Sequence, residues 1–90
     1  MLAVLTTSAF ERDVRRLAKQ GKDLEKLGRI VDLLQAQLPL PPRCRLHPLK
    51  GEWIGHWDCH VEPDWLLLYR TTESAITLVR TGSHSELFRR

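Results

Sequence analysis

The sequence has 90 residues, a length that buries one modest core, and we therefore predict a single domain spanning residues 1–90. Fourteen Lys and Arg against 11 Asp and Glu give a formal net charge of +3, which permits a polyanionic partner without requiring one. Two cysteines are too few for the disulfide framework of a small secreted domain, and neither a secretory leader nor an apolar run long enough for a membrane span is present. We expect a cytoplasmic protein with reduced thiols and no membrane partner.

The N-terminal half is predicted to form one strand and then two helices. The short apolar run at residues 2–6 suits a strand, and the capping box SAFE makes Ser8 the N-cap of a helix that Gly21 ends. Leucines and valines spaced by three and four from Leu24 to Leu38 predict a second helix, which the prolines that follow stop. The Lys and Arg side chains on the outer faces suit either a solvated surface or contact with phosphates or an acidic partner.

The C-terminal half is predicted to form strands after a connector at 39–51. Alternation over 52–62 places Trp53, Trp57, Cys59 and Val61 on a core face, and His56, Asp58, His60 and Glu62 on a polar face. The unbroken run at 65–69 suits a central strand covered on both faces, and 75–81 suits one more strand. The fold class is therefore α+β, with the N-terminal strand and two-helix hairpin packed on a mainly antiparallel sheet. The other sheet face and the turn at 61–63 are left for function.

Four histidines, all within or after the connector, are the groups most suited to chemistry. Both protonation states of histidine are accessible near neutral pH, which suits proton transfer. Asp64, Arg80 and Trp65 lie close by in the sequence and suit carboxylate, phosphate-binding and base-stacking roles. Such a set needs no metal when the nucleophile is the 2′-hydroxyl of RNA. Taken singly, each histidine also suits an ordinary surface position. His56 and Asp58 suit either such a position or the rim of an RNA site.

Zinc binding is the alternative chemistry. Cys44 and His47 have C-x-x-H spacing, and Cys59 with His60 would complete four ligands. Adjacent residues of a strand face opposite sides, however, so Cys59 and His60 are not expected to converge on one ion. We predict neither a metal nor another cofactor.

Three short motifs carry a resemblance to a known family. The stretch LPLPPRCRLHPLKGEWIGHWDCHVEPDWLLLYR, followed later by RTGSHSELF, resembles the YafQ branch of the RelE and ParE toxin superfamily. HPLKG, HVEPDW and RTGSH are specific in this order and spacing, and the helical half agrees only in pattern. The resemblance implies a RelE-like fold and the toxin of a type II toxin–antitoxin system, a metal-independent endoribonuclease that cleaves mRNA in the ribosomal A site and leaves a 2′,3′-cyclic phosphate.

The resemblance also implies roles for individual residues, taken motif by motif. His60 or Asp64 is the general base, His84 the general acid, and Arg80, helped by His47, the group that stabilises the transition state. The RNA-binding residues implied are Trp65 and Phe88.

The implied partners are a DinJ-like antitoxin that wraps the toxin and represses their operon, the small ribosomal subunit with its 16S rRNA, and the mRNA. Two alternatives stay open. One is a non-catalytic, ParE-like gyrase inhibitor of the same superfamily, which has no need of acid–base groups. The other is a nucleic-acid-binding module stabilised by zinc.

Overall fold

The chain folds as a five-stranded sheet with two helices on one face, in a computed structural model that describes residues 1–88. The elements are β1 (Ala3–Thr6), α1 (Ser8–Lys19), α2 (Leu24–Gln35), β2 (His47–Pro48), β3 (Trp57–Glu62), β4 (Trp65–Thr71), β5 (Ala75–Gly82) and α3 (His84–Leu87). The strand order is β1-β5-β4-β3-β2, in which β1 pairs with β5 in parallel and the other pairs are antiparallel. The predicted α+β class is confirmed. Within residues 1–88, no helix has the length and apolar character needed to span a membrane.

The start of α1 is fixed by Thr7, one residue before the predicted N-cap. The Thr7 hydroxyl accepts a hydrogen bond of 2.9 Å from the Phe10 backbone N–H and donates one of 2.7 Å to the carbonyl of Val79. The prediction of a capping box at Ser8 was therefore wrong. The tertiary hydrogen bond to β5 favours Thr7, since only that hydroxyl both caps the helix and ties it to the sheet.

This difference makes a direct stability prediction. Thr7→Ala is expected to lower the free energy of unfolding by about 1–2 kcal/mol, because it removes both a helix cap and a bond to the sheet. Ser8→Ala, at an exposed position, is the matched control and should change it by less than about 0.5 kcal/mol. Urea unfolding followed by circular dichroism measures both. If Ser8→Ala lowered the free energy of unfolding more than Thr7→Ala does, Thr7 would not be the N-cap of α1.

Each of the two long helices, α1 and α2, is followed by a residue in the left-handed conformation. Gly21, with φ of 79°, follows α1 and confirms the predicted end of that helix. In α2 the left-handed residue is Gln37, with φ of 59°, and the Leu38 N–H donates to the carbonyl of Leu33. The predicted second helix was thus too long by three residues. Leu38 follows the left-handed residue and is exposed, so it does not extend the apolar stripe of α2.

The predicted strand over 52–62 is only half correct. Residues Gly51–Trp53 form a single 3₁₀ turn, and β3 begins at Trp57. Trp57 is 37% exposed and Trp53 packs on the sheet face opposite the two long helices, so the prediction that both lie in one core was wrong. Cys59 and Val61 do lie against the helix-side core. The glycines and the 3₁₀ turn break the alternation that the sequence suggests.

Glu62 also departs from the predicted polar face. The pairing of β3 with β4 shifts register between His60 and Glu62. As a result, the Glu62 carboxylate reaches Lys22 and Lys26, at 3.0 and 2.9 Å. A β-bulge reverses the side on which the following residue points, which the sequence pattern does not reveal.

The central strand β4 is covered on both faces, as predicted. Trp65, Leu67 and Tyr69 join the core beneath α1 and α2, whereas Leu66 and Leu68 join a second cluster. That second cluster is completed by Leu87, with Leu49, Trp53 and Phe88 packed against it. The face predicted to be open is therefore partly covered by α3 and the connector.

Helix α3 was not predicted, although the sequence at its start has the pattern of a capping box. Ser83 accepts from the Glu86 backbone N–H at 3.2 Å, and the Glu86 carboxylate accepts from the Ser83 N–H at 2.8 Å. This is a complete capping box for one turn of helix. Its effect is to fix the orientation of His84, the first residue of α3.

Candidate active site

Three of the four histidines meet on the sheet face that is turned away from α1 and α2. His47 on β2 lies opposite Asp58 on β3, and His60 lies opposite Leu66 on β4, so these side chains share the face of the second cluster. His84 enters from α3, with its ring centroid 5.7 Å from that of His60. We name His47, His60 and His84 the histidine cluster. His56 lies outside it and contacts the Trp53 carbonyl instead.

Each imidazole of the histidine cluster is held through the same ring nitrogen. The Nδ1 contacts are His47 with the Arg45 carbonyl at 2.9 Å, His60 with the Pro63 carbonyl at 3.2 Å, and His84 with the Asp64 carboxylate at 2.7 Å. A carbonyl or carboxylate oxygen accepts, so Nδ1 carries the proton. No group of residues 1–88 forms a hydrogen bond with Nε2 in any of the three rings, and an accessible ring nitrogen is what proton transfer to a substrate requires.

Asp64, implied by the resemblance as one of two candidates for the general base, is the hydrogen-bond partner of His84. Its carboxylate accepts from the His84 backbone N–H at 3.0 Å as well as facing Nδ1. The hydrogen bonds from the His84 backbone and ring hold the pKa of Asp64 below its ordinary value. Asp64 is therefore ionised at neutral pH, and its carboxylate lies 2.7 Å from Nδ1 of His84.

Asp58 is the residue of the site that the sequence analysis undervalued. Its side chain is buried, 3% exposed for the residue, and Oδ1 lies 3.0 Å from His47 Nδ1. The Nδ1 proton is directed to the Arg45 carbonyl, and Asp58 Oδ1 has no hydrogen-bond partner among residues 1–88. Burial raises the pKa of Asp58, against the lowering influence of all three histidines of the cluster. The alternation of the sequence predicted that Asp58 lies on the same face as His60, but it did not predict that Asp58 is buried.

The raised pKa of Asp58 gives a pH-dependent stability prediction. A carboxyl whose folded pKa is raised supports folding fully below its unfolded pKa of about 4, and this support is lost as pH rises through the folded pKa. Asp58→Asn lacks this loss, so its stability relative to the wild type should increase from about pH 4 toward neutrality. Urea unfolding of both proteins over that pH range measures the difference. A difference that stays flat or falls with pH would contradict the burial argument, and Asp32→Asn on the exposed face of α2 is the control.

Arg80 is held by α1 and does not join the histidine cluster. Its Nε and Nη2 donate to the two carboxylate oxygens of Asp13 at 2.6 and 3.1 Å. The hydrogen bonds that Arg80 donates to Asp13 raise the pKa of Arg80, and its other charged neighbours are Arg16 and Glu86. The predicted phosphate contact would have to compete with Asp13, so the structure favours a positioning role for this arginine.

The two aromatic residues predicted to bind RNA differ in accessibility. Trp65 is 1% exposed and its indole N–H donates to the Thr81 hydroxyl at 2.9 Å, so it offers no ring face to a base. Its RNA-binding assignment is corrected to a packing role. Phe88 is half-buried, with its ring centroid 6.4 Å from that of His84. It lines a cavity of about 610 Å³ with residues 49–53.

The alternative zinc site is not assembled. Cys44 and Cys59 are buried in the helix-side core, on the opposite side of the sheet from His47 and His60. Burial, with Cys44 and Asp58 nearby, raises the pKa of Cys59 to about 12, which keeps the thiol protonated at neutral pH. Among residues 1–88, no three His, Cys, Asp or Glu side chains form a group able to hold a metal ion.

The comparison with protein families shows that this α+β chain belongs to the class of bacterial toxins. The model of the family described as "Bacterial toxin of type II toxin-antitoxin system, YafQ" matches residues 2–89. The chain belongs to this YafQ family of type II toxins.

Individual relatives agree with the family assignment. The chain is 44% identical over 80 residues to the mRNA interferase toxin YafQ of Escherichia coli K12, covering 88% of this chain and 87% of that protein. It is similar to the toxin in the crystal structure of the E. coli DinJ–YafQ toxin–antitoxin complex, at 40% identity, 97% coverage of both chains and a TM-score of 0.89. A metal-bound toxin from Helicobacter pylori is 43% identical, with 98% of this chain and 100% of that chain covered and a TM-score of 0.92.

Proposed function

We propose that this toxin is an endoribonuclease that cleaves mRNA in the ribosomal A site, by metal-independent attack of the RNA 2′-hydroxyl. The observation that carries the proposal is the pairing of His60 and His84, whose ring centroids are 5.7 Å apart. Two imidazoles at this separation are able to act on the two oxygens on either side of one phosphorus. A purely binding toxin has no requirement for such a pair.

The partners of the two rings divide the acid and base roles. Among residues 1–88, the hydrogen-bond partner of the His60 ring is the neutral carbonyl of Pro63 at Nδ1, and Nε2 is available to accept a proton. Nδ1 of His84 lies 2.7 Å from the carboxylate of Asp64, which orients the ring so that Nε2 is the nitrogen presented to the leaving oxygen. His60 is therefore the general base, His84 the general acid, and Asp64 the residue that orients His84.

His47 supplies positive charge for the transition state. It lies 3.0 Å from the buried Asp58 carboxyl, so the protonated ring would carry its charge beside that group. Its free Nε2–H then donates to a non-bridging phosphate oxygen, the contribution first assigned to Arg80. Arg80 contributes by holding β5, and thereby the start of α3, against α1 through Asp13.

The reaction follows from these roles. His60 Nε2 removes the 2′-hydroxyl proton, and the 2′-oxygen forms a bond to the adjacent phosphorus. The bond from phosphorus to the 5′-oxygen breaks, and His84 protonates that oxygen. The products are a 2′,3′-cyclic phosphate and a free 5′-hydroxyl, and DNA is not cleaved because it lacks the nucleophile. Phe88 lies beside His84, where its ring can contact a base of the codon.

The proposed partners are the small ribosomal subunit with its 16S rRNA, the mRNA, and a DinJ-like antitoxin. The net charge of +3 favours association with RNA, and a related toxin has been crystallised with DinJ. The ribosome contributes by placing a single codon against the histidine cluster, since positioning alone supplies a large part of such a rate enhancement.

Primer extension on mRNA translated in a reconstituted system tests the proposal. We expect cuts within A-site codons that require ribosomes and persist in a chelator. Folded protein that stops growth without cutting mRNA would overturn the nuclease assignment, and an assay of DNA gyrase would then test the ParE-like alternative.

A further inference from the structure

A groove lies beside the free end of strand β3. Strand β2 pairs with β3 only at Trp57 and Asp58, so on that side β3 from His60 onward has no neighbouring strand within residues 1–88. A cavity of about 540 Å³ occupies the space. We name it the edge groove, and it is lined by Lys26, Arg43, Arg45, His60, Val61, Glu62 and Pro63.

The edge groove carries unneutralised positive charge. Three cationic side chains face one anionic side chain, and the carboxylate of Glu62 is already bound by Lys22 and Lys26. Arg43 and Arg45 are exposed, and neither side chain forms a hydrogen bond or an ion pair with the described part of the chain. Two free guanidinium groups thus line one wall, and the guanidinium matches the geometry of a phosphate.

The edge groove is continuous with the histidine cluster. His60 lines the groove and also faces His84, so a molecule that lies in the groove reaches the proposed reaction centre. Arg45 adds a second connection. It has φ of 47°, uncommon for a residue with a side chain, and in this conformation its carbonyl accepts from His47 Nδ1. One residue therefore both orients His47 and lines the groove.

We infer that the edge groove binds the phosphate backbone of the mRNA substrate next to the cleavage point, with Arg43 and Arg45 as phosphate ligands. The inference rests on the proposed function. Single-stranded RNA fits better than an acidic peptide, because the groove leads directly to the histidine that would deprotonate a ribose hydroxyl. Contacts to phosphates position the strand without reading its sequence, so these arginines contribute affinity and not codon choice.

Binding of a 2′-O-methyl RNA oligonucleotide, which the proposed mechanism cannot cleave, tests the inference. Fluorescence anisotropy over a salt series compares the wild type with the double variant Arg43→Ala and Arg45→Ala. Loss of two phosphate contacts is expected to weaken binding at low salt by about tenfold or more and to reduce the slope of log K against log salt by about 1.4. The double variant Arg12→Ala and Arg15→Ala removes the same charge from the exposed face of α1 and should leave the slope unchanged.

Three results overturn the edge groove as an RNA site. They are no binding by the wild type at low salt, equal slopes for both double variants, and intact RNA binding with loss of antitoxin binding in the groove variant. The proposed function fails separately, because the uncleavable probe reports binding alone. If binding depends on Arg43 and Arg45 but the protein never cleaves mRNA, the nuclease mechanism is contradicted and the edge groove remains an RNA-binding site.

Discussion

Replacement of His84 by alanine is expected to lower the rate of mRNA cleavage by about 10²–10⁴-fold with little change in stability. His84 is exposed at the first position of α3, and its imidazole makes its closest polar contact with Asp64. The loss therefore removes the proposed proton donor and not a packing group. His60→Ala is expected to have an effect of similar size, and the two losses should not add, since both rings act in one step.

The matched control for this prediction is His56→Ala. His56 is a histidine of the same connector and strand region, but its Nδ1 contacts the Trp53 carbonyl and its Nε2 lies near Arg70. Primer extension with ribosomes measures all three variants, and unfolding curves check that each is folded. A folded His84→Ala protein that cuts at the wild-type rate would remove His84 from the mechanism. Asp64→Asn should give an intermediate loss, because it affects the charge and orientation of the acid only.

The largest effect on stability is expected at Asp13. Its carboxylate is buried and accepts from Arg80, Arg16 and the Thr81 backbone N–H. Asp13→Ala leaves these donors without a partner, and we expect a loss of about 3 kcal/mol, reduced from the upper range because the arginines are partly exposed. Such a loss is a large fraction of the stability of a domain this small. Urea unfolding measures it, with Asp32→Ala on the exposed face of α2 as control.

The same carboxylate gives a signed dependence on acid. Burial alone would raise the pKa of Asp13, but hydrogen bonds from Arg80, Thr81 and Arg16 outweigh it and hold the pKa below its ordinary value. The stabilisation is therefore complete above about pH 4 and is lost as pH falls through the lower, folded pKa. Asp13→Asn should unfold with a shallower dependence on acid. An Asp13→Asn protein as acid-sensitive as the wild type would assign acid unfolding to other carboxylates.

The sequence predicted those features that depend on local pattern. The apolar periods identified both long helices, and the unbroken run from Trp65 identified the central strand with its two covered faces. The motif resemblance selected His47, His60 and His84 before any geometry was known, and the structure brings these three together.

The errors came from tertiary contacts that no local pattern contains. From the sequence, Asp13 is expected to be one more charged residue on the outer face of α1. In the structure it is buried and bound to Arg80, which lies 67 residues further along the chain. Trp65 is an aromatic residue next to Asp64, and only the fold shows that it is sealed by Thr81 and the helices. Asp58 follows the alternation correctly, but it is buried, and its partner His47 lies on β2, a strand of two residues that no local pattern predicts.

The parallel pairing of β1 with β5 also determines how late in synthesis the sheet can be completed. Ala3 pairs with Ala75, so β1, the first strand to be synthesised, has to wait for β5, the last of the five, before the sheet can close. His84, on α3, is synthesised later still. Non-local pairing of this kind slows folding, and it leaves the early strand and helices without their sheet during translation. A nascent chain that has not yet reached α3 therefore lacks His84, one of the three members of the histidine cluster.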